Sequence, residues 1–80
     1  MSIVSTLQEV LSTENEVIFE AKDGSSIHIE PEHAYTLVSV HDTMNTNNQK
    51  KMRDMLEESE ESFIRVLTFC DSQFNEEEGT

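Results

Sequence analysis

From Thr46 to Phe74 the apolar residues recur at helical intervals. Met52, Met55, Leu56, Phe63, Val66, Leu67, Cys70 and Phe74 project within about 60° of one line at about 100° per residue, as on an amphipathic helix. The polar face between them is a block of carboxylates, Asp54, Glu57, Glu58, Glu60 and Glu61. This stretch organises the chain, and the remaining segments read as what it packs against.

Residues 3–12 carry Ile3, Val4, Leu7, Val10 and Leu11 on one helical face, with Ser2 placed as N-cap. The pattern predicts a short helix that ends in Ser12-Thr13-Glu14-Asn15 and is too short to stand alone. Residues 16–30 read as a β-hairpin around Lys22-Asp23-Gly24. A two-residue Asp23-Gly24 turn would set Ile18 opposite Ile29 but place Glu20 beside Ile27. A three-residue loop with Gly24 left-handed instead pairs Phe19 with Ile27 and Val17 with Ile29. It turns Ile18, Glu20, His28 and Glu30 the other way. Only the second register gives one coherent apolar face, so it is the one expected.

Pro31 suits the first turn of a further helix, with Glu32 complementing its positive end. Ala34, Leu37, Val38, His41 and Met44 make its buried stripe, with Tyr35 and Val40 at the edges. Asn45 to Asn48 is the break, and Thr46 with Gln49 fits a capping box that starts the next helix near Asn47. That last helix is too long. About 27 residues span roughly 40 Å, against a diameter near 30 Å for a globule of this length. Either it bends near Glu58-Ser59-Glu60 with Ser59 as a second cap, or its end projects and pairs with another chain. The bend is the reading adopted, with a dimer as the alternative. The expected fold is therefore α+β: a short N-terminal helix, a β-hairpin, then two to three helices on one face of the hairpin. It forms one domain over residues 1–75, followed by an acidic disordered tail at 76–80.

Composition changes the picture in one respect. Seventeen Asp and Glu against five Lys and Arg leave a net charge of −12 and a pI near 4.3. Such a chain is repelled by nucleic acid and by anionic membranes, so direct binding to either is not expected. Partners with basic surfaces are favoured. With no apolar run near the length of a membrane span and no signal-peptide pattern, the chain reads as cytoplasmic. At 80 residues the net stability is roughly 4–12 kcal/mol, so little of the core is expendable.

Catalytic and metal chemistry finds little support. His33 and His41 stand eight residues apart on one helix, about 12 Å along its axis, and two ligands of one zinc must each lie near 2 Å from it. Cys70 falls on the apolar stripe beside Asp71, the setting of a packed thiol and not of a nucleophile. Asp23-Gly24 lacks the alternating acidic ligands of a calcium loop. Acidic residues are too abundant for any pair to point to acid–base work. The reading is a non-enzymatic protein with no cofactor and no metal.

The acidic ridge remains. Asp54, Glu57, Glu58 and Glu61 stand at i, i+3, i+4 and i+7, relieved by possible i+4 pairs Lys50–Asp54, Arg53–Glu57 and Glu61–Arg65. It is the candidate partner-binding surface. The candidate self-association surface is the wide apolar stripe of Phe63, Ile64, Leu67, Phe69, Cys70 and Phe74, which would make the chain a homodimer or an assembly component. The segments Glu30-Pro31-Glu32-His33, His41-Asp42-Thr43-Met44-Asn45, Asn48-Gln49-Lys50-Lys51-Met52 and Glu60-Glu61-Ser62-Phe63 resemble the small, acidic, uncharacterised proteins of tailed bacteriophages of marine and cyanobacterial hosts. The resemblance implies a phage accessory protein in the host cytoplasm that binds and modulates a host protein, and it carries over no functional residue.

Overall fold

Six elements follow one another in the computed structural model, which describes the backbone of residues 2–78 and the side chains of residues 2–73. They are α1 (Ile3–Thr13), β1 (Val17–Glu20), β2 (Ser26–Ile29), α2 (Pro31–Thr43), α3 (Thr46–Glu58) and α4 (Glu60–Glu78). The expected α+β layout is the one observed. The backbone of 76–78, expected in a disordered tail at 76–80, continues α4; Gly79, Thr80 and the side chain of Phe74 lie outside the described residues.

Helix α1 begins where the Ser2 side chain accepts from the Ser5 N–H. It ends at Glu14, whose φ of 57° is left-handed and whose N–H returns to the Val10 carbonyl. A side chain other than glycine at such a cap stores strain. In the hairpin, Val17 pairs with Ile29 and Phe19 with Ile27, in the expected register. The Gly24 N–H donates to the Ala21 carbonyl and the Ala21 N–H to the Ser25 carbonyl, leaving Lys22-Asp23-Gly24 as the loop. Gly24, at φ +90°, takes the left-handed position that closes it. One face carries buried Ile27 and Ile29 with half-buried Val17 and Phe19, while Ile18, Glu20, His28 and Glu30 face solvent.

Pro31 opens α2 and the stripe of Ala34, Leu37 and His41 is buried. Val40, expected at an edge, is buried as well, while Val38 and Met44 are half-buried. The helix rolls further onto α1 and α4 than its own periodicity indicates. The next start differs by one residue from expectation. Asn45, not Thr46, is the N-cap of α3 and accepts from the Asn48 N–H at 2.9 Å. Gln49 does not close a capping box. Its Nε2 donates to the His41 carbonyl and ties the new helix back to α2.

The long C-terminal pattern breaks at Ser59, as its length requires. Thr46 to Glu78 as one helix would extend roughly 50 Å, more than the 39 Å longest dimension of the molecule. Ser59 takes an extended conformation and its hydroxyl accepts from the Ser62 N–H, capping α4. The two halves then fold back on one another. The core gathers Ile3, Leu7 and Val10 of α1, Ile27 and Ile29 of β2, Leu37 of α2, Leu56 of α3, and Phe63 and Cys70 of α4. Every buried side-chain nitrogen or oxygen among the described residues has a partner.

Candidate functional site

The surface of α3 and α4 combines a block of carboxylates with three exposed large apolar side chains, Met55, Ile64 and Phe69, while Ile18 and Tyr35 are exposed elsewhere. Asp54, Glu58, Glu60 and Glu61 are exposed. Glu61 binds Arg65 at 2.7 Å, the one expected i+4 pair that forms among the described residues. Glu57 leaves the ridge. Its Oε2 accepts from the Ile3 N–H at 2.9 Å, and its Oε1 stands 4.0 Å from Lys22 Nζ. A carboxylate at the start of α1 satisfies one of the orphan N–H groups there and meets the positive end of the helix dipole. The site residue expected to face a partner thus holds three elements of its own chain together.

Arg53 is redirected too. It does not pair with Glu57, and its Nη1 donates to His41 Nε2 at 3.2 Å. A guanidinium has only donors, so His41 accepts at Nε2 and carries its proton on Nδ1, which stands 3.2 Å from Asp42 Oδ1. His41, expected on the buried stripe of α2, is buried there and has a polar neighbour at each ring nitrogen. His28 and His33 lie beside Glu16 and Glu30. Among the described residues no three His, Cys, Asp or Glu side chains converge as metal ligands.

The C-terminus of α3 is capped by the hairpin loop. The Lys22 N–H donates to the Glu57 carbonyl and the Asp23 N–H to the Glu58 carbonyl. Ser25 completes the corner: its hydroxyl accepts from the Glu60 N–H at 2.9 Å and donates to Asp23 Oδ1 at 2.6 Å. Those bonds from Ser25 to the carboxylate hold Asp23 below its ordinary pKa of 3.8.

The proposed self-association stripe is divided. Phe63 and Cys70 lie in the core, Leu67 is half-buried, and Ile64 and Phe69 are exposed. Burial, and secondarily Asp71, pushes the Cys70 thiol up from 9.0 to about 11, so the reactive thiolate is suppressed. Met55, expected on the hidden stripe, is 45% exposed. With Met44, Met52, Val66 and Phe69 it lines an apolar groove of about 350 Å³ between α3 and α4.

No family model, curated protein or solved structure matches the chain. The site therefore rests on its own chemistry. Among the described residues no helix is long and apolar enough to cross a membrane. Sequence reasoning placed Asp54, Glu58 and Glu61 on a common exposed surface, and the structure brings them there. It missed the groove, because Met52 and Met55 carry the same apolar signal although one is buried and the other is open.

Proposed function

We propose that this chain is a non-enzymatic binding module that recognises a protein with a basic surface through the exposed carboxylates of α3 and early α4. The observation that carries this reading is the exposed group Asp54, Glu58, Glu60 and Glu61 on a chain of net charge −12, with only Glu61 held in an ion pair among the described residues. Carboxylates kept in water keep their charge available, and their field speeds encounter with a cationic partner. The resemblance to tailed-bacteriophage proteins gives the setting: an accessory protein that modulates a host protein in the host cytoplasm.

Self-association through α4 competes with this reading. Among the described residues of α4 the exposed large apolar side chains are Ile64 and Phe69, which stand five residues and therefore about 140° apart around the helix. Two exposed residues on different sides do not make one seam, which favours the heterologous partner.

The experiment is affinity capture from host lysate at low and high salt, with the triple variant Asp54→Asn, Glu58→Gln, Glu61→Gln alongside. Exposed charges are screened beyond about 10 Å at 0.1 M salt. The expected result is a protein partner retained by the wild type at low salt, released at high salt and not retained by the variant. Retention that ignores both salt and the three substitutions overturns the reading.

A further inference from the structure

Every methionine beyond Met1 lines the groove between α3 and α4. Met52 is buried at its floor, whereas Met55 and Phe69 stand 45% and 56% exposed along it. Thioether side chains are unbranched and polarisable, so a surface built from them can repack around an incoming apolar face. A second hollow, of about 310 Å³, continues from the groove past the Ser59 corner. It shares Met55 and Arg65 with the first and brings in Glu58 and Glu61. Arg65 at the seam is already matched by Glu61. The apolar trough therefore runs directly into carboxylates.

We propose that this groove receives the apolar face of a cationic amphipathic helix, with Met55 and Phe69 gripping its apolar side chains and Glu58 facing its Lys or Arg residues. The proposal rests on the basic-partner reading and names the segment of the partner that is recognised. Charge selects the occupant. A second copy would bring two chains of −12 together, and an acidic peptide meets the same repulsion. A cationic helix offers both complements at once: an apolar stripe at i, i+3, i+4 and i+7 for the groove and a basic flank for its acidic continuation.

The test uses the full chain with nitrogen-15 in its amides and methyl-labelled methionine, and three synthetic peptides of about four helical turns. One is an amphipathic Leu/Lys helix, one has the same composition scrambled to abolish the apolar face, and one is an amphipathic Leu/Glu helix. The expected result is that the Leu/Lys helix shifts the methyls of Met44, Met52 and Met55. Its affinity falls about tenfold in Phe69→Ala, as for an interface anchor, and the Leu/Glu helix leaves the methyls unmoved. Met55→Gln is the second variant, at a half-exposed position where folding is retained, and it lowers affinity in the same direction.

Equal binding of the scrambled peptide, with shifts confined to the amides of Asp54, Glu58 and Glu61, overturns the groove while leaving the basic-partner reading standing. Failure of both cationic peptides to bind overturns both. Methyl shifts that follow protein concentration without any peptide assign the groove to a second copy and overturn the proposal.

Discussion

The two ends of the α3–α4 pair are built in opposite ways. At the Ser59 corner, backbone groups of Lys22, Asp23 and Glu60, the Ser25 hydroxyl and the Glu57 carboxylate find partners across elements, and the Ser59 hydroxyl caps α4. Along the neighbouring groove, Met55 and Phe69 are open to water. Apart from the Ser59 cap, the corner end is fixed by hydrogen bonds that local sequence does not announce. The other leaves an apolar surface uncovered. The contrast teaches that charge and hydrophobicity on one helix pair divide between holding the fold and facing water, and that residue type alone does not say which.

Two phenylalanines on α4 give the widest separation. Phe63 is 2% exposed and Phe69 is 56% exposed. Phe63→Ala removes a ring from the core and is expected to cost about 3–5 kcal/mol, enough to unfold much of so small a domain. Phe69→Ala is expected to stay within about 0.5 kcal/mol of wild type. Urea unfolding of both measures the difference. Comparable losses would mean that the groove is part of the core and that the division of labour is wrong.

The adjacent carboxylates Glu57 and Glu58 repeat the comparison at smaller scale. Glu57→Ala strands the buried start of α1 without its acceptor, with an expected loss of about 1–3 kcal/mol. Glu58→Ala removes an exposed charge from a like-charged surface and should change stability by no more than a few tenths of a kcal/mol, towards stabilisation. Thermal melts of the two single variants decide it. Equal effects would return Glu57 to the solvent-facing ridge.

Much of this architecture was legible in the chain. The hairpin register follows from Val17, Phe19, Ile27 and Ile29 having to share a face, since a slip of one residue exposes them. The Ser59 break follows from a helix longer than the globule and a serine able to cap what comes next. Glu57 was not legible, because its partner is the Ile3 N–H, 54 residues away. Its own helix offers Arg53, four residues earlier, as a credible partner. Arg53 was misplaced for the same reason, being drawn to His41 across the α2–α3 corner. Asn45 and Thr46 are both good capping residues side by side, and only the direction of the chain leaving α2 selects the first. The groove was illegible because helical periodicity identifies an apolar stripe but not how wide the neighbour that covers it is.

Gly24 sharpens the corner further. At φ +90° it sits where side chains are disfavoured, and an added Cβ would meet no atom within 4 Å. Gly24→Ala therefore costs only backbone strain, about 1–2 kcal/mol. The loss should appear as exchange of the Lys22 and Asp23 amides that cap α3, read by hydrogen exchange. Faster exchange confined to the hairpin, with those two amides still protected, would show that the loop does not hold the corner.

The smallest effect concerns Asp23, fully solvated yet bonded to both the N–H and the hydroxyl of Ser25. Because these bonds favour the carboxylate, its folded pKa lies below the ordinary 3.8. The unfolded chain then binds the proton more readily, so stability from this group rises with pH. It is complete above the ordinary value and is lost as pH falls through the lower folded one. Asp23→Asn lacks that titration, so the difference between the two proteins reads this group. Wild type should exceed the variant slightly at neutral pH, with the gap closing in acid below 3.8. Paired denaturation curves across that range measure the gap. A gap independent of pH would mean that Ser25 holds the corner through Glu60 alone, with the Asp23 charge contributing nothing to it.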